Sequence, residues 1–187
     1  MRAVKLVAAA STEFERAVRE LPPQVWSHPT PSALTIRELV THVVAGNRLT
    51  ALLLAGHSRA EALAQIEGDL LGDDPLVAVL TSAREQTAAF ATASPDQPLP
   101  GPAGEATASD YLRFRLVDLV VHAWDLRRGA GLDEALDPDL VVATARLVEP
   151  HLPAMLALGV YGDGPSGSLP PEASEQVRLL DAFGRRP

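Results

Sequence analysis

Two histidines and a carboxylate carry the chemistry this chain can offer. Asp118 and His122 lie four residues apart in a stretch, Tyr111 to Gly129, that reads as one long helix. At that spacing their side chains leave the helix on the same side, one turn apart. Asp125, seven residues beyond Asp118, falls on the same stripe. A carboxylate and an imidazole so placed can share one metal ion if a third ligand comes from elsewhere. His42, on an earlier helical stretch, is the candidate. Two neutral imidazoles and one carboxylate leave coordination positions open, as a catalytic metal needs. The set suits zinc, with nickel or iron as alternatives. Nothing marks a separate catalytic residue.

Each part also has an ordinary explanation. A lone histidine on an apolar face is commonly a core or edge residue satisfied by a hydrogen bond. Asp118 and His122 alone can be a local pair. The joint case is stronger, because facing helices of a bundle bring side chains together in an interior where only paired or metal-bound charges survive burial.

Neighbouring residues have two readings each. Asp125 can orient a ligand histidine as an acceptor, or pair with Arg128 near the helix end. Arg115 and Arg84 can bind an anionic substrate, or lie on solvated helix faces. Asn47 and Arg48, just past His42, are candidate rim contacts. Trp124 reads as packing. His28, His57 and His151 have no partner at ligand spacing.

The elements that position these groups can be read from periodicity and punctuation. Ala3 to Glu20 is helical in pattern, with Leu6, Phe14, Ala17 and Val18 among its apolar positions, and Pro22-Pro23 ends it. Residues 24–34 form a loop. Thr35 and Glu38 make a capping box for a helix that runs to Ala55 before Gly56. His42 falls inside its apolar face with Leu39, Ala45, Leu49 and Leu53, and Gly46 leaves room beside it. A short helical piece spans Arg59 to Glu67. Asp74-Pro75 opens a third long helix to Thr92.

The proline-rich run at 94–106 predicts no regular structure, and no hairpin signal stands out. Thr107 or Ser109 caps the central helix. Asp137-Pro138 starts a fifth helix to His151. Tyr161 to Pro171 is rich in Gly and Pro, with Gly-Asp-Gly-Pro at 162–165 read as a turn. A last short helix spans Ala173 to Phe183. Four long helices predict an all-α four-helix bundle with short C-terminal helices. The expected division is one domain over 1–187, with the core at about 1–130 and an extension over 131–187.

Composition excludes several functions. The 187 residues are 47% apolar but only 4% aromatic, so Leu, Val and Ala must fill the core, which favours helix-on-helix packing. A net charge of -8 argues against broad contact with nucleic acid or an anionic membrane. There is no cysteine, which rules out disulfides, thiolate zinc ligands and a thiolate nucleophile from the chain itself. Any thiol chemistry must use a thiol brought from outside. The start of the chain lacks a signal-peptide layout and no apolar run approaches the roughly 20 residues of a membrane span, so a cytoplasmic protein is expected.

The patterns Thr35-Ile-Arg-Glu-Leu-Val-x-His42-Val-Val-x-Gly46-Asn47 and Arg115-Leu-Val-Asp118-x-x-x-His122-x-Trp124-Asp125-Leu126 resemble the DinB-like/YfiT-like metal-binding proteins. Within these the chain is most similar to the mycothiol-dependent maleylpyruvate isomerase N-terminal domain group of actinobacteria. The closing run Arg178 to Pro187 resembles the end of short members.

The resemblance implies a DinB-type four-helix bundle. It also implies a divalent metal, often zinc, at His42, Asp118 and His122, and mycothiol or a similar thiol as cosubstrate. Family members carry His or Glu where this chain has the shorter Asp118. Relatives often have a Cys-Pro-x-Trp-like stretch where this chain has Ser32-Ala33-Leu34. The isomerase's extra C-terminal domain is expected to be absent.

Three functional readings stay open from the sequence. One is a metal-dependent isomerase or transferase acting on a small electrophile with a thiol. The second is a bundle that holds a metal and a ligand, or a partner, without turnover. The third is a purely structural bundle. A homodimer is a further expectation, with no helix face assigned to it.

Overall fold

The computed structural model describes residues 3–101, 104–161 and 164–187. The pair Gly162-Asp163, half of the turn read at 162–165, lies outside the described residues. The elements in order are α1 (Ala3–Arg19), α2 (Ile36–Leu54), α3 (Arg59–Ala64), α4 (Pro75–Thr92), β1 (Pro98–Gly101), β2 (Gly104–Thr107), α5 (Ala108–Ala130), α6 (Pro138–Val148), α7 (Leu152–Leu156) and α8 (Glu175–Ala182). The protein is an all-α helical bundle with one small two-stranded ribbon. Helix α1 packs along α5, and α2 along α4; contacts of α1 with α4 and of α2 with α5 close the bundle. Helices α6 and α8 pack on each other, and α6 leans on α1 and α5.

Local chemistry fixes the helix starts. Thr35, Ser58 and Thr107 each accept the backbone N–H three residues on, while Glu38, Glu61 and Asp110 reach back to close a capping box. Asp74 and Asp137 cap α4 and α6 ahead of a proline in the first turn.

Helix α5 is buried on nearly every side: Leu116, Val117, Leu119, Val120, Val121, Ala123, Trp124 and Leu126 are all buried, and so are Arg115, His122, Asp125 and Arg127. Each large apolar side chain buried there contributes about 1.5–3 kcal/mol, and the buried charged ones persist because they are paired. Asp118, His122 and Asp125 are therefore carried on a helix packed inside the fold.

One expectation fails. The segment expected to lack regular structure contains an antiparallel hairpin, pairing Pro98 with Thr107 and Leu99 with Ala106. Pro98 and Pro100 stand two apart, so their missing N–H groups fall on one edge of the ribbon, where proline is tolerated. Leu99 is buried, and the Tyr111 hydroxyl donates to the Pro100 carbonyl at 2.6 Å, which pins the hairpin to α5. Helix α7 also went unread, between the end of α6 and the Gly/Pro-rich segment.

Candidate metal centre

Helix α2 presents His42 and helix α5 presents Asp118 and His122 on the wall of a cavity of about 640 Å³. Asp118 Oδ1 lies 3.3 Å from His42 Nε2 and 3.1 Å from His122 Nε2. The two imidazole rings stand edge to face, 5.2 Å apart. One donor atom from each residue lies within 4.8 Å of the other two. A tetrahedral ion with ligand bonds near 2.0–2.2 Å spaces its ligand atoms by about 3.4 Å. Two of the contacts already have nearly that spacing, so the donor set fits a small divalent cation.

Two of the three donors are held from behind. The other oxygen of Asp118 accepts from Arg115 Nη1 at 2.6 Å. The Nδ1 of His122 lies 2.8 Å from Asp125 Oδ2. With Asp125 as acceptor, Nδ1 carries the proton and Nε2 is turned towards the cavity. Asp125 is fully buried and takes a second cation, Arg185, whose Nε reaches Oδ1 at 3.0 Å and whose Nη2 reaches Oδ2 at 2.6 Å. His42 has no such support among the described residues: its side chain is 49% exposed, so it faces the opening and not the packed interior expected for it.

The electrostatics follow from these contacts. Burial pushes the Asp118 carboxyl upward, but Arg115, His122 and His42 outweigh it and hold it well below the usual carboxylate range. Burial alone would favour neutral His122, but the charges and hydrogen bonds of Asp118 and Asp125 push the imidazole up to about 9. Asp125 is likewise raised by burial and lowered more strongly by His122 and Arg185. The Tyr161 phenol, on the cavity wall, is pushed up by burial and by the Asp118 charge, so it stays protonated at neutral pH.

Arg115 is buried, not solvated. Its guanidinium also donates to Gln86 Oε1, the Val43 carbonyl and Asn47 Oδ1. The room beside Gly46 is taken by this guanidinium, and a methyl group there would overlap it. Asn47 sits behind the site, not on its rim, and donates to Ser82. Arg84 is elsewhere: it is exposed on α4 and shares a shallow groove with Glu15 of α1. Trp124 packs in the core under Arg128, so Arg128 is engaged by the indole and by Glu134 while Asp125 turns to Arg185.

The family described as "Mycothiol maleylpyruvate isomerase N-terminal domain" matches residues 7–127. The chain belongs to this family. The match takes in α2 and α5 and with them His42, Asp118 and His122. Two members of the curated proteins, uncharacterized proteins of Mycobacterium tuberculosis strains CDC 1551 / Oshkosh and H37Rv, are each 36% identical over 115 residues. Those residues are 61% of this chain and 59% of each relative, so the chain spans about three fifths of their length. No solved structure matches it. No helix among the described residues is long and apolar enough to cross a membrane.

In this mycothiol maleylpyruvate isomerase N-terminal domain protein, part of the cavity wall comes from beyond the matched residues. Leu158, Val160, Tyr161, Gly184 and Arg185 line it from beyond the matched residues, opposite Pro31 to Leu34 of the loop before α2. Ala33 in that loop takes a left-handed backbone, φ 64°, inside a turn held by hydrogen bonds from Thr30 to the Leu34 carbonyl. Sequence reading missed Arg185 and Tyr161. Neither stands at a spacing that ties it to α5, and only the chain's path through the last two helices brings them there.

Proposed function

We propose that this protein binds a divalent metal through His42, Asp118 and His122, and uses it to activate a low-molecular-weight thiol against a small electrophile. Zinc suits the donor set, with nickel or iron as alternatives. The observation that carries the reading is the meeting of these three donors at a largely apolar cavity in a chain with no cysteine. A bound divalent ion lowers the pKa of a coordinated thiol, which supplies the nucleophile the chain lacks. Membership of a family named for mycothiol supports that thiol as cosubstrate.

The chain's own residues have distinct tasks. Arg115 turns Asp118 towards the site and neutralises its outer oxygen. Asp125 fixes the tautomer of His122. The apolar wall from Leu49, Phe114, Val117 and Val121 keeps water away from a thiolate and accepts a small organic substrate. A thiol that adds and leaves again gives isomerisation; a thiol that stays gives transfer. A cytoplasmic location would supply the reduced thiol.

The test begins with elemental analysis of protein purified without added metal. Calorimetry with mycothiol then follows on the zinc-loaded protein, with His122→Ala as the control. Stoichiometric zinc and thiol heat that His122→Ala abolishes are expected. Zinc binding without thiol heat would instead mark a metal-binding bundle that does not use a thiol.

A further inference from the structure

The family match stops at residue 127, yet the side chain that clamps Asp125 comes from residue 185. Helix α8 ends in a reversal that places it. Gly184, φ 77°, takes the left-handed position after the helix. The Gly184 N–H returns to the Asp181 carbonyl and the Arg185 N–H to the Leu180 carbonyl, the two bonds of a glycine-terminated helix end. Phe183, fully buried, stacks edge to face on Tyr161 at 5.0 Å. The reversal therefore anchors on the cavity wall and sends Arg185 inward. Its side chain is 12% exposed and grips both oxygens of a carboxylate that is wholly buried.

We propose that Arg185 is a positioning residue for the metal centre, acting on His122 through Asp125, so that seating of the C-terminal segment sets metal affinity. The proposal rests on the reading of His42, Asp118 and His122 as metal ligands. Asp125 has two acceptor oxygens and one imidazole to hold. Without Arg185, it is a buried carboxylate free to rotate about its side-chain bonds, and His122 loses its fixed orientation. A two-pronged guanidinium contact removes that freedom, because both oxygens are committed at once. Metal-ligand histidines lose affinity when the acceptor behind them is disturbed, by about 10–100-fold.

The experiment is a zinc titration of the full chain against a competing chromophoric chelator, for the parent, Arg185→Ala, Arg185→Gln and Arg185→Lys. Far-UV circular dichroism checks the fold of each. Arg185→Ala and Arg185→Gln are expected to bind zinc about 10–100-fold more weakly than the parent, and Arg185→Lys to recover part of the loss. In the metal-free protein, the imidazole Nδ1–H resonance of His122 is expected to be sharp in the parent and broadened by exchange with water in Arg185→Ala.

Parent-like zinc affinity in the folded Ala or Gln variant overturns the proposal and leaves the metal site standing. A parent that binds no zinc overturns both. If Arg185→Ala does not fold, Arg185→Gln decides, since it keeps part of the stem and a neutral amide donor while losing the charge and the two-pronged contact.

Discussion

The Arg115 guanidinium lies against the bare α-carbon of Gly46, and the helices that carry them, α5 and α2, are those that carry the three proposed ligands. Substituting Gly46→Ala puts a methyl group where the guanidinium sits. The guanidinium is held by four acceptors on three elements and has nowhere to retreat. The expected cost is about 1–3 kcal/mol of stability, the usual range for overpacking a core. Zinc affinity should fall as well, because Arg115 aims Asp118. Urea unfolding and a zinc titration on the same variant check both.

Removing Asp118 separates its two roles. Asp118→Ala deletes a proposed ligand and leaves Arg115 buried without its carboxylate. Loss of one partner of a buried pair costs roughly 3 kcal/mol. Asp118→Asn keeps an acceptor for Arg115 but is a poor ligand. It is expected to lose zinc while losing less stability than Asp118→Ala. Elemental analysis and thermal melts on the two variants distinguish the roles; equal zinc content in Asp118→Asn and the parent would remove Asp118 from the ligand set.

Stability without metal should depend on pH through His122. Its imidazole stands at about 9 in the folded chain against an ordinary 6.5. A raised value means that the protonated form stabilises the fold fully below pH 6.5, and that this contribution is lost as the pH rises through about 9. Asp118 acts oppositely: its lowered value adds stability above the ordinary carboxylate range, and this fades on acidification. Chelated protein is therefore expected to lose melting temperature between pH 6.5 and about 9. Metal binding requires a neutral imidazole, so zinc-loaded protein should not show this loss, and zinc uptake at neutral pH should release a proton. Melts across the range, and calorimetry in buffers of different ionisation enthalpy, check the two statements.

Gly184 has a cost that can be read directly. At φ 77° any side chain is strained, and Gly184→Ala is expected to lose about 1 kcal/mol. Because the reversal there aims Arg185, the loss should come with weaker zinc binding. Gly56, at φ 94° beyond the end of α2 and away from the cavity, is the matched control: Gly56→Ala should cost similar stability and leave zinc affinity alone. Denaturant melts and the chelator competition separate them.

Much of the fold was legible because it obeys local rules. The capping box at Thr35 and Glu38 starts α2 where a threonine with a glutamate three positions on says it should. The four-residue step from Asp118 to His122 predicts their shared side, and the helix delivers it. What was hidden lacks any local signature. An arginine such as Arg115 reads as solvated surface, and only a glycine 69 positions earlier, at Gly46, betrays that it is buried. Prolines 98 and 100 read as a break, since their one-edge placement needs the pairing partner to be known. Arg185 belongs to the site through tertiary path alone, 60 residues from the carboxylate it holds.

The burial of α5 on nearly every side has a consequence for which ion can be accommodated. Two of the proposed donors ride on that rod, each fixed by a partner on the same helix. The third rides on α2. A change in coordination radius therefore falls on His42 and on the gap between the two helix axes, and small against large side chains at their contact would tune the preference among cations of different size.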